Sequence, residues 1–493
     1  MRVLFASSEV YPLIKTGGLA DVSGALPAAL AAAGLDMRVL MPGYPAALDV
    51  AAGKRHVASL GDPFGIGAET RVVAGHIPST GVPLWLLDCP ALWDRPGGPY
   101  QDAAGRDYGD NALRFGMLSH AAARLAAADS PLKWRPHVLH CNDWQTGLAG
   151  AYLQAWGVMD RPGTLFTIHN IAYQGLFPKD LVPRLGLPWE QFRIDGFEYY
   201  DSLSFLKAGL VYNDRISTVS RRYAKEIQAA PFGCGLEGLL AERAADLTGI
   251  VNGADYAVWD PVADPHIPHR YGPGGQGAGK AANKAALQAE LGLAAEEGAP
   301  LLVIVSRLNG LKGMDLVLGA LPGLLDMGVL LAVVGSGDRP LEEAFLAAAA
   351  HSPRQVAVRI GSSEPLAHRL MAAGDMLLMP SRFEPCGLTQ FYALRYGTVP
   401  LVHVTGGLAD TVVDTTYDSL MTGTATGFAF EHANVGALQW CVERAVAAYR
   451  RPEDWRRVQS AGLAQDFGWD RSASRYVELY RELVGGDARH PRA

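Results

Sequence analysis

Short runs of branched and aromatic residues alternate along this chain with longer stretches rich in Ala and Leu. VLFASS (Val3–Ser8) opens the first half, followed by a helical pattern from about Ala20 to Ala33 and a second run, MRVLMP (Met37–Pro42). HVLHC (His137–Cys141), TLFTIHN (Thr164–Asn170) and RISTVS (Arg215–Ser220) continue the series. A second series starts at LLVIVSRL (Leu301–Leu308) and runs through VLLAVVGSG, VAVRIG, MLLMPS and TVPLVHV. Strand-length apolar runs separated by helix-length patterns predict parallel sheets covered by helices. Each series predicts its own doubly wound domain.

Between the series, GIVNGADYAVWDP (Gly249–Pro261) carries Asn-Gly and Asp-Pro punctuation that breaks both patterns, and the hinge is expected there. The expected domains are 1–250, 251–468 and a terminal segment 469–493. PGGQGAG (Pro273–Gly279) reads as a flexible surface loop without an assigned function.

A chain of 493 residues is too long for one ordinary core, which agrees with two domains. A formal charge of −7 without long runs of one sign argues against nucleic acid or a membrane as partner. The five cysteines (Cys89, Cys141, Cys234, Cys386, Cys441) lack paired spacing, and the N-terminus lacks a signal pattern. A cytoplasmic protein is therefore expected, and no cofactor or metal ligand set is read from the chain.

TGGLAD occurs twice, at Thr16–Asp21 and Thr405–Asp410, each time after a strand-like run. The plain reading is a glycine turn entering a helix. The sharper reading places two Gly-rich loops at equivalent points of the two halves, facing one another across a cleft, since open α/β sheets bind ligands at the carboxyl ends of their strands.

Lys15-Thr16-Gly17-Gly18 offers a cation and open backbone N–H groups at a helix start, suited to phosphate. It is neither a Walker loop nor a dinucleotide fingerprint. Arg307 and Lys312, in SRLNGLKG, are paired cations suited to a diphosphate leaving group, or else two solvated surface charges. In SRFEPCGLT, Gly387, Leu388 and Thr389 direct N–H groups at a ligand, and Glu384 accepts sugar hydroxyls or simply satisfies a helix start. Cys386 has no base beside it in the sequence, so packing or a sugar-edge contact is expected rather than nucleophilic attack. His169 ends a strand, and Asp143 with Trp144 combines a carboxylate with an aromatic face. Structural alternatives are a core histidine and a buried Trp anchored by a turn.

KTGGLADVSGALP, TIHNIAYQG, FLKAGLVYNDRISTVS, GIVNGADYAVWDP, SRLNGLKGMD and the run from Ser381 to Val412 together resemble the bacterial glycogen synthases. The resemblance covers most of the chain. It implies a GT-B fold: α/β, two Rossmann-like doubly wound domains facing across a cleft, with a C-terminal helix, over roughly Arg471–Val484, crossing back to the N-terminal domain. It further implies glucosyl transfer from ADP-glucose to the non-reducing 4-hydroxyl of glycogen or a malto-oligosaccharide, with retention.

Carried over residue by residue, His169, Arg307, Lys312 and Glu384 become the catalytic set. Lys15, Gly17, Gly18, Asn252, Cys386, Gly387, Leu388 and Thr389 fall on the donor. Tyr100, Asp143 and Trp144 fall on the acceptor side, while Glu9 and Asp21 shape the site. Leu311, Cys234 and Ser362 depart from the family pattern, where Gln, Tyr and an aromatic that stacks on adenine are usual. A UDP-glucose-dependent relative and a non-catalytic glucan-binding protein are the competing readings.

Overall fold

A computed structural model describes residues 1–485 apart from 273 and 297. The chain forms two compact units, the first comprising Met1–Gly253 together with the segment from Trp469 onward, the second Ala254–Gly468. Asn252 thus belongs to unit 1.

The strands of unit 1 are β1 (Arg2–Ala6), β2 (Asp36–Pro42), β3 (Ala52–Gly61), β4 (Thr70–His76), β5 (Pro83–Asp88), β6 (Val138–Asn142) and β7 (Gly163–Ile168). There follow β8 (Leu176–Pro178), β9 (Glu198–Tyr199) and β10 (Ser202–Ser204), which make a small separate sheet, then β11 (Arg215–Thr218) and β12 (Leu247–Gly249). The main sheet contains a parallel stretch in the order β5-β2-β1-β6-β7-β11-β12, extended at the β5 edge by the antiparallel pair β4 and β3. Val3, Leu4, Phe5 and Ala6 of β1 are all buried, the expected result for a central strand covered on both faces. The direction of winding reverses between β1 and β6, so the loops leaving these strands diverge and open a crevice at their carboxyl ends.

Unit 2 repeats the plan with β13 (Leu301–Val305), β14 (Leu330–Gly335), β15 (Val356–Ile360), β16 (Met376–Met379), β17 (Val399–His403) and β18 (Phe428–Phe430). They run parallel in the order β15-β14-β13-β16-β17-β18, and the winding reverses between β13 and β16. Its core joins Leu302 and Ile304 of β13 to Val317 and Leu321 on the following helix and to Val442 and Val446 near the C-terminal side of the unit.

The C-terminal helix, Trp469–Gly485, is part of unit 1. Its buried residues Trp469, Ser472, Ala473, Tyr476, Leu479, Tyr480 and Leu483 follow helical spacing and form one apolar stripe. The stripe is fixed by polar contacts as well: the Tyr480 hydroxyl lies 2.7 Å from His140 Nδ1, and Ser472 Oγ donates to the Val251 carbonyl at 2.6 Å. The chain therefore returns to the N-terminal unit at its end. Residues 486–493 of the expected terminal segment lie outside the described residues.

Two expectations are corrected. The TGGLAD copies do not occupy equivalent points: the first enters the helix Gly18–Ala32 after β1, the first strand of unit 1, whereas the second enters the short helix Gly406–Thr411 after β17, the fifth of six strands in unit 2. The string encodes a strand-to-helix turn, a connection that recurs after most parallel strands of both units. The stretch Pro273–Gly279 is also more ordered than expected, because a helix starts at Gln276 and runs to Leu291, while Pro273 lies outside the described residues. Gly279 serves packing there, since a Cβ would come 2.4 Å from Tyr271 Cβ.

Candidate active site

The candidate residues of unit 2 gather on the loops that leave β13 and β16, at the reversal of strand order. After β13 the chain exposes Arg307, buries Leu308, and forms a 3₁₀ turn over Gly310–Lys312 capped by Asn309, whose Oδ1 accepts from Lys312 N at 3.0 Å. Gly313 ends the turn at φ 70°, with the position of a Cβ only 2.2 Å from the Pro380 carbonyl oxygen. Only glycine tolerates both constraints. The close approach draws the two loops together.

Arg382 then ties them. Its backbone N–H donates to the Leu311 carbonyl at 2.8 Å, its Nη1 to the Gly310 carbonyl at 2.6 Å, and its guanidinium grips Asp315 through two bonds of 2.6 and 2.7 Å. On the other side of this clamp, Lys312 Nζ donates to Glu384 Oε2 at 2.5 Å, and Ser381 Oγ donates to the same oxygen at 3.0 Å. Glu384 is buried, so its charge is held by Lys312 instead of serving as a solvated helix-start carboxylate.

The second TGGLAD packs on this loop. Gly406 has φ 44°, and a Cβ there would fall 1.9 Å from the Glu384 carbonyl oxygen; one on Gly407 would fall 2.2 Å from that of Cys386. Gly407 N–H donates to the Glu384 carbonyl at 3.1 Å. Cys386 is buried, and its carbonyl lies against Gly407. Gly387 turns the chain at φ 73° into the helix Thr389–Tyr396. Among the described residues, the N–H groups of Gly387, Leu388 and Thr389 meet no acceptor, leaving three open donors at the start of this helix.

The unit 1 residues sit on the loops after β1, β6 and β7. The buried Glu9 carboxylate accepts from Thr16 N and Thr16 Oγ1 at 2.5 and 2.6 Å and from the Tyr100 hydroxyl at 2.5 Å. Tyr100 also meets Ser8 Oγ at 2.9 Å and Gln145 Nε2 at 3.1 Å. Burial, then the Glu9 charge, pushes its phenol well above the ordinary range, so it remains a neutral donor. This network supports the Lys15–Gly18 turn from beneath. Lys15 Nζ meets Asp21 Oδ1 at 2.7 Å, a partly exposed pair worth less than about 1 kcal/mol. A Cβ on Gly17 would meet nothing within 4 Å, and its φ of −160° suits any residue.

Asp143, at φ 56°, is one of the non-glycine residues held in the left-handed region. Its Oδ1 accepts from the His169 and Asn170 N–H groups at 2.7 and 3.2 Å. Burial pushes its carboxyl up to about 7 against the pull of those two donors. His169 Nε2 lies 2.9 Å from Asn142 Oδ1, and burial lowers the imidazole to about 3, leaving it neutral at physiological pH. Trp144 is ringed by Tyr100, Phe115, Phe177 and Phe205, and Gly175 lies close enough that a Cβ would come 2.4 Å from the indole. Trp144 thus packs on several sides. Asn252 is buried, and its Oδ1 meets no donor among the described residues.

Sequence reasoning overlooked Arg382, Asp315, Asn142, Thr16 and Ser381, which hold the candidate groups in place. Among the described residues no three His, Cys, Asp or Glu side chains gather as a metal site, and no helix is long and apolar enough to cross a membrane.

Residues 2–242 match the family model for the starch synthase catalytic domain, and residues 291–459 that for glycosyl transferases group 1. The chain is 70% identical over 485 residues to a glycogen synthase of Paramagnetospirillum magneticum, covering 98% of each. It is 49% identical to a glycogen synthase of Rhodospirillum rubrum, covering 100% of each. Among solved structures it is similar to the catalytic domain of starch synthase IV from Arabidopsis thaliana bound to ADP and acarbose, with a TM-score of 0.87, 31% identity and coverage of 98% of this chain and 99% of that one. With parallel strands wound 3-2-1-4-5-6 in unit 2 and 3-2-1-4-5-6-7 in unit 1, the loops of both reversals occupied by these residues and such likeness along its whole length, the chain belongs to the starch and glycogen synthase family of GT-B glycosyltransferases.

Proposed function

We infer that this chain is a glycogen synthase, a retaining glucosyltransferase that moves glucose from ADP-glucose to the non-reducing 4-hydroxyl of an α-1,4-glucan in the cytoplasm. The observation that carries this reading is the grouping of Arg307 and Lys312 with the open N–H groups of Gly387, Leu388 and Thr389 on the two loops at the strand reversal of unit 2. Two permanent cations and a helix N-terminus suit a diphosphate, and they match the charge that grows on the bridging oxygen as the bond to C1 breaks. The ADP in the Arabidopsis relative supports that choice of leaving group, and its acarbose supports a saccharide acceptor.

In this mechanism the C1–O bond to the diphosphate breaks as the acceptor oxygen approaches the same face. The proton of the acceptor hydroxyl passes to the departing phosphate oxygen, and the new glycosidic bond keeps the α configuration. A double displacement needs a carboxylate nucleophile about 5 Å from a second carboxyl group. Glu384 on the second of these loops is already paired with Lys312, and Asp315 beside them with Arg382, which favours front-face transfer with Glu384 holding Lys312 and accepting sugar hydroxyls. His169, neutral at working pH, partners a sugar hydroxyl through its ring and offers its carbonyl to the developing positive charge. Lys15 and the Gly17–Gly18 turn lie toward the donor, Asp143 and Tyr100 toward the acceptor, and Trp144 shapes that side from within. The charges that stabilise the leaving group come from the protein itself, so a divalent metal is not required.

Incorporation of labelled glucose into glycogen, with ADP-glucose and UDP-glucose side by side and with exhaustive chelation, tests the reading. The expected outcome is incorporation from ADP-glucose that chelation leaves unchanged. Incorporation from neither donor contradicts glucosyl transfer, a preference for UDP-glucose contradicts the choice of base, and activity restored only by Mg²⁺ contradicts metal independence.

A further inference from the structure

We propose that Asn142 is a positioning residue that locks His169 in the Nε2–H tautomer, so that Nδ1 is an obligate hydrogen-bond acceptor for a hydroxyl of the sugar. The proposal rests on the reading of His169 as a sugar-hydroxyl partner and goes beyond it by fixing the direction of the bond.

Asn142 ends β6 and is fully buried. Its Nδ2 lies 3.0 Å from the Ala6 carbonyl oxygen, at the end of the neighbouring strand β1. A carbonyl oxygen only accepts, so the amide nitrogen must face Ala6 and the amide oxygen must face away from it. That oxygen lies 2.9 Å from His169 Nε2. Because an amide oxygen also only accepts, Nε2 must carry the proton. A neutral imidazole holds one proton, so Nδ1 keeps its lone pair.

Ring orientation is fixed from the backbone side as well. The Asp143 carboxylate takes the His169 N–H at 2.7 Å and pins the residue at the end of β7. The titratable groups facing this position are His140, Asp143 and, beyond Asp143, Glu9 and Tyr223. His140 is committed to Tyr480 and Thr167, and burial keeps it neutral. The Tyr223 hydroxyl accepts from the Ile171 N–H at 3.1 Å. Among the described residues neither group makes a hydrogen bond to Nδ1. The arrangement has two chemical consequences: His169 is unsuited to donate to a phosphate, and a sugar lacking the hydroxyl it accepts from leaves a lone pair without a donor, a penalty that gives discrimination an apolar pocket cannot supply.

The test has one arm that needs no activity. Long-range proton–nitrogen NMR of the full chain labelled in histidine, with the His169 signal identified by its loss in His169→Gln, reads the tautomer directly. The expected spectrum at neutral pH has Nε2 protonated and Nδ1 bare; a protonated Nδ1, in the other tautomer or in an imidazolium, overturns the proposal even if glucosyl transfer is intact. The second arm is Asn142→Asp, which places a carboxylate against Nε2–H and favours the imidazolium. Its kcat/KM is expected to fall at least ~10-fold further than that of the parent between pH 8 and pH 6, as Nδ1 gains a proton, whereas a purely structural residue lowers activity by the same factor at every pH. Parallel pH profiles overturn the proposal. If the variant does not fold, the NMR of the parent chain still decides.

Discussion

The two copies of Thr-Gly-Gly-Leu-Ala-Asp are identical in sequence and differ in what their glycines do. In unit 1, Gly17 has an extended backbone with open space around it, and the turn is held from below by Glu9 through Thr16. In unit 2, Gly406 is in the left-handed region with its missing Cβ replaced by the Glu384 carbonyl, and Gly407 presses on Cys386. The first copy leaves room where a ligand is expected, and the second provides the floor on which the Glu384 loop rests. Identical strings therefore answer to different constraints, one set by substrate and one by packing. Only the surroundings reveal which.

Substitution of the glycines separates the two roles. Gly406→Ala introduces both a strained φ and an overlap with backbone, which together cost about 4 kcal/mol. The expected result is a lower urea midpoint for the unit 2 transition with loss of activity. A variant as stable as the parent contradicts the packing role.

Next in size are two opposite pH effects in unit 1. His169 is lowered to about 3, so between pH 3 and 6.5 the unfolded chain binds more protons at this residue and its contribution to stability is lost as pH falls. Asp143 is raised to about 7, so between pH 4 and 7 the folded chain binds more, and its contribution is lost as pH rises. Relative to the parent, His169→Asn should gain stability toward acid and Asp143→Asn toward neutral pH, each with a limiting slope of about 1.4 kcal/mol per pH unit. Denaturation midpoints measured from pH 4 to 7 give both slopes, and slopes of the same sign contradict the assignment.

Gly17→Ala should have the smallest effect on stability, within about 0.5 kcal/mol, because the new methyl meets nothing. Turnover should fall nonetheless, since the methyl enters space reserved for substrate. Loss of stability without loss of turnover reverses the comparison.

The sequence made the strands legible because central parallel strands are buried on both faces and read as unbroken apolar runs, as β1 and β13 do. The C-terminal helix was expected from the family resemblance, and its apolar stripe from Trp469 to Leu483 shows the helical spacing that fits it to unit 1. Strand order and its reversal were not, since they depend on pairings such as β1 with β6, more than a hundred residues apart. For the same reason the candidate groups could be named but not their partners: Tyr100 reaches Glu9 across 91 positions, and Lys312 reaches Glu384 across 72. Arg382, inside a recognised motif, gave no sign that it clamps Asp315. The unequal placement of the TGGLAD copies was hidden because local sequence specifies a turn and says nothing about which strand it follows.

The central claim is that Arg307 and Lys312 act on the leaving group. Steady-state kinetics of Arg307→Ala, Arg307→Lys and Lys312→Ala, with ADP-glucose binding measured separately, test it most directly. Loss of one preorganised charge costs about 3–4 kcal/mol of barrier, roughly two to three decades in turnover. Arg307→Lys should also be poor, because a point charge does not reproduce a bidentate fork. The account predicts that kcat at saturating donor falls by that amount while the donor dissociation constant changes far less; normal turnover at saturation with only weaker binding would contradict it.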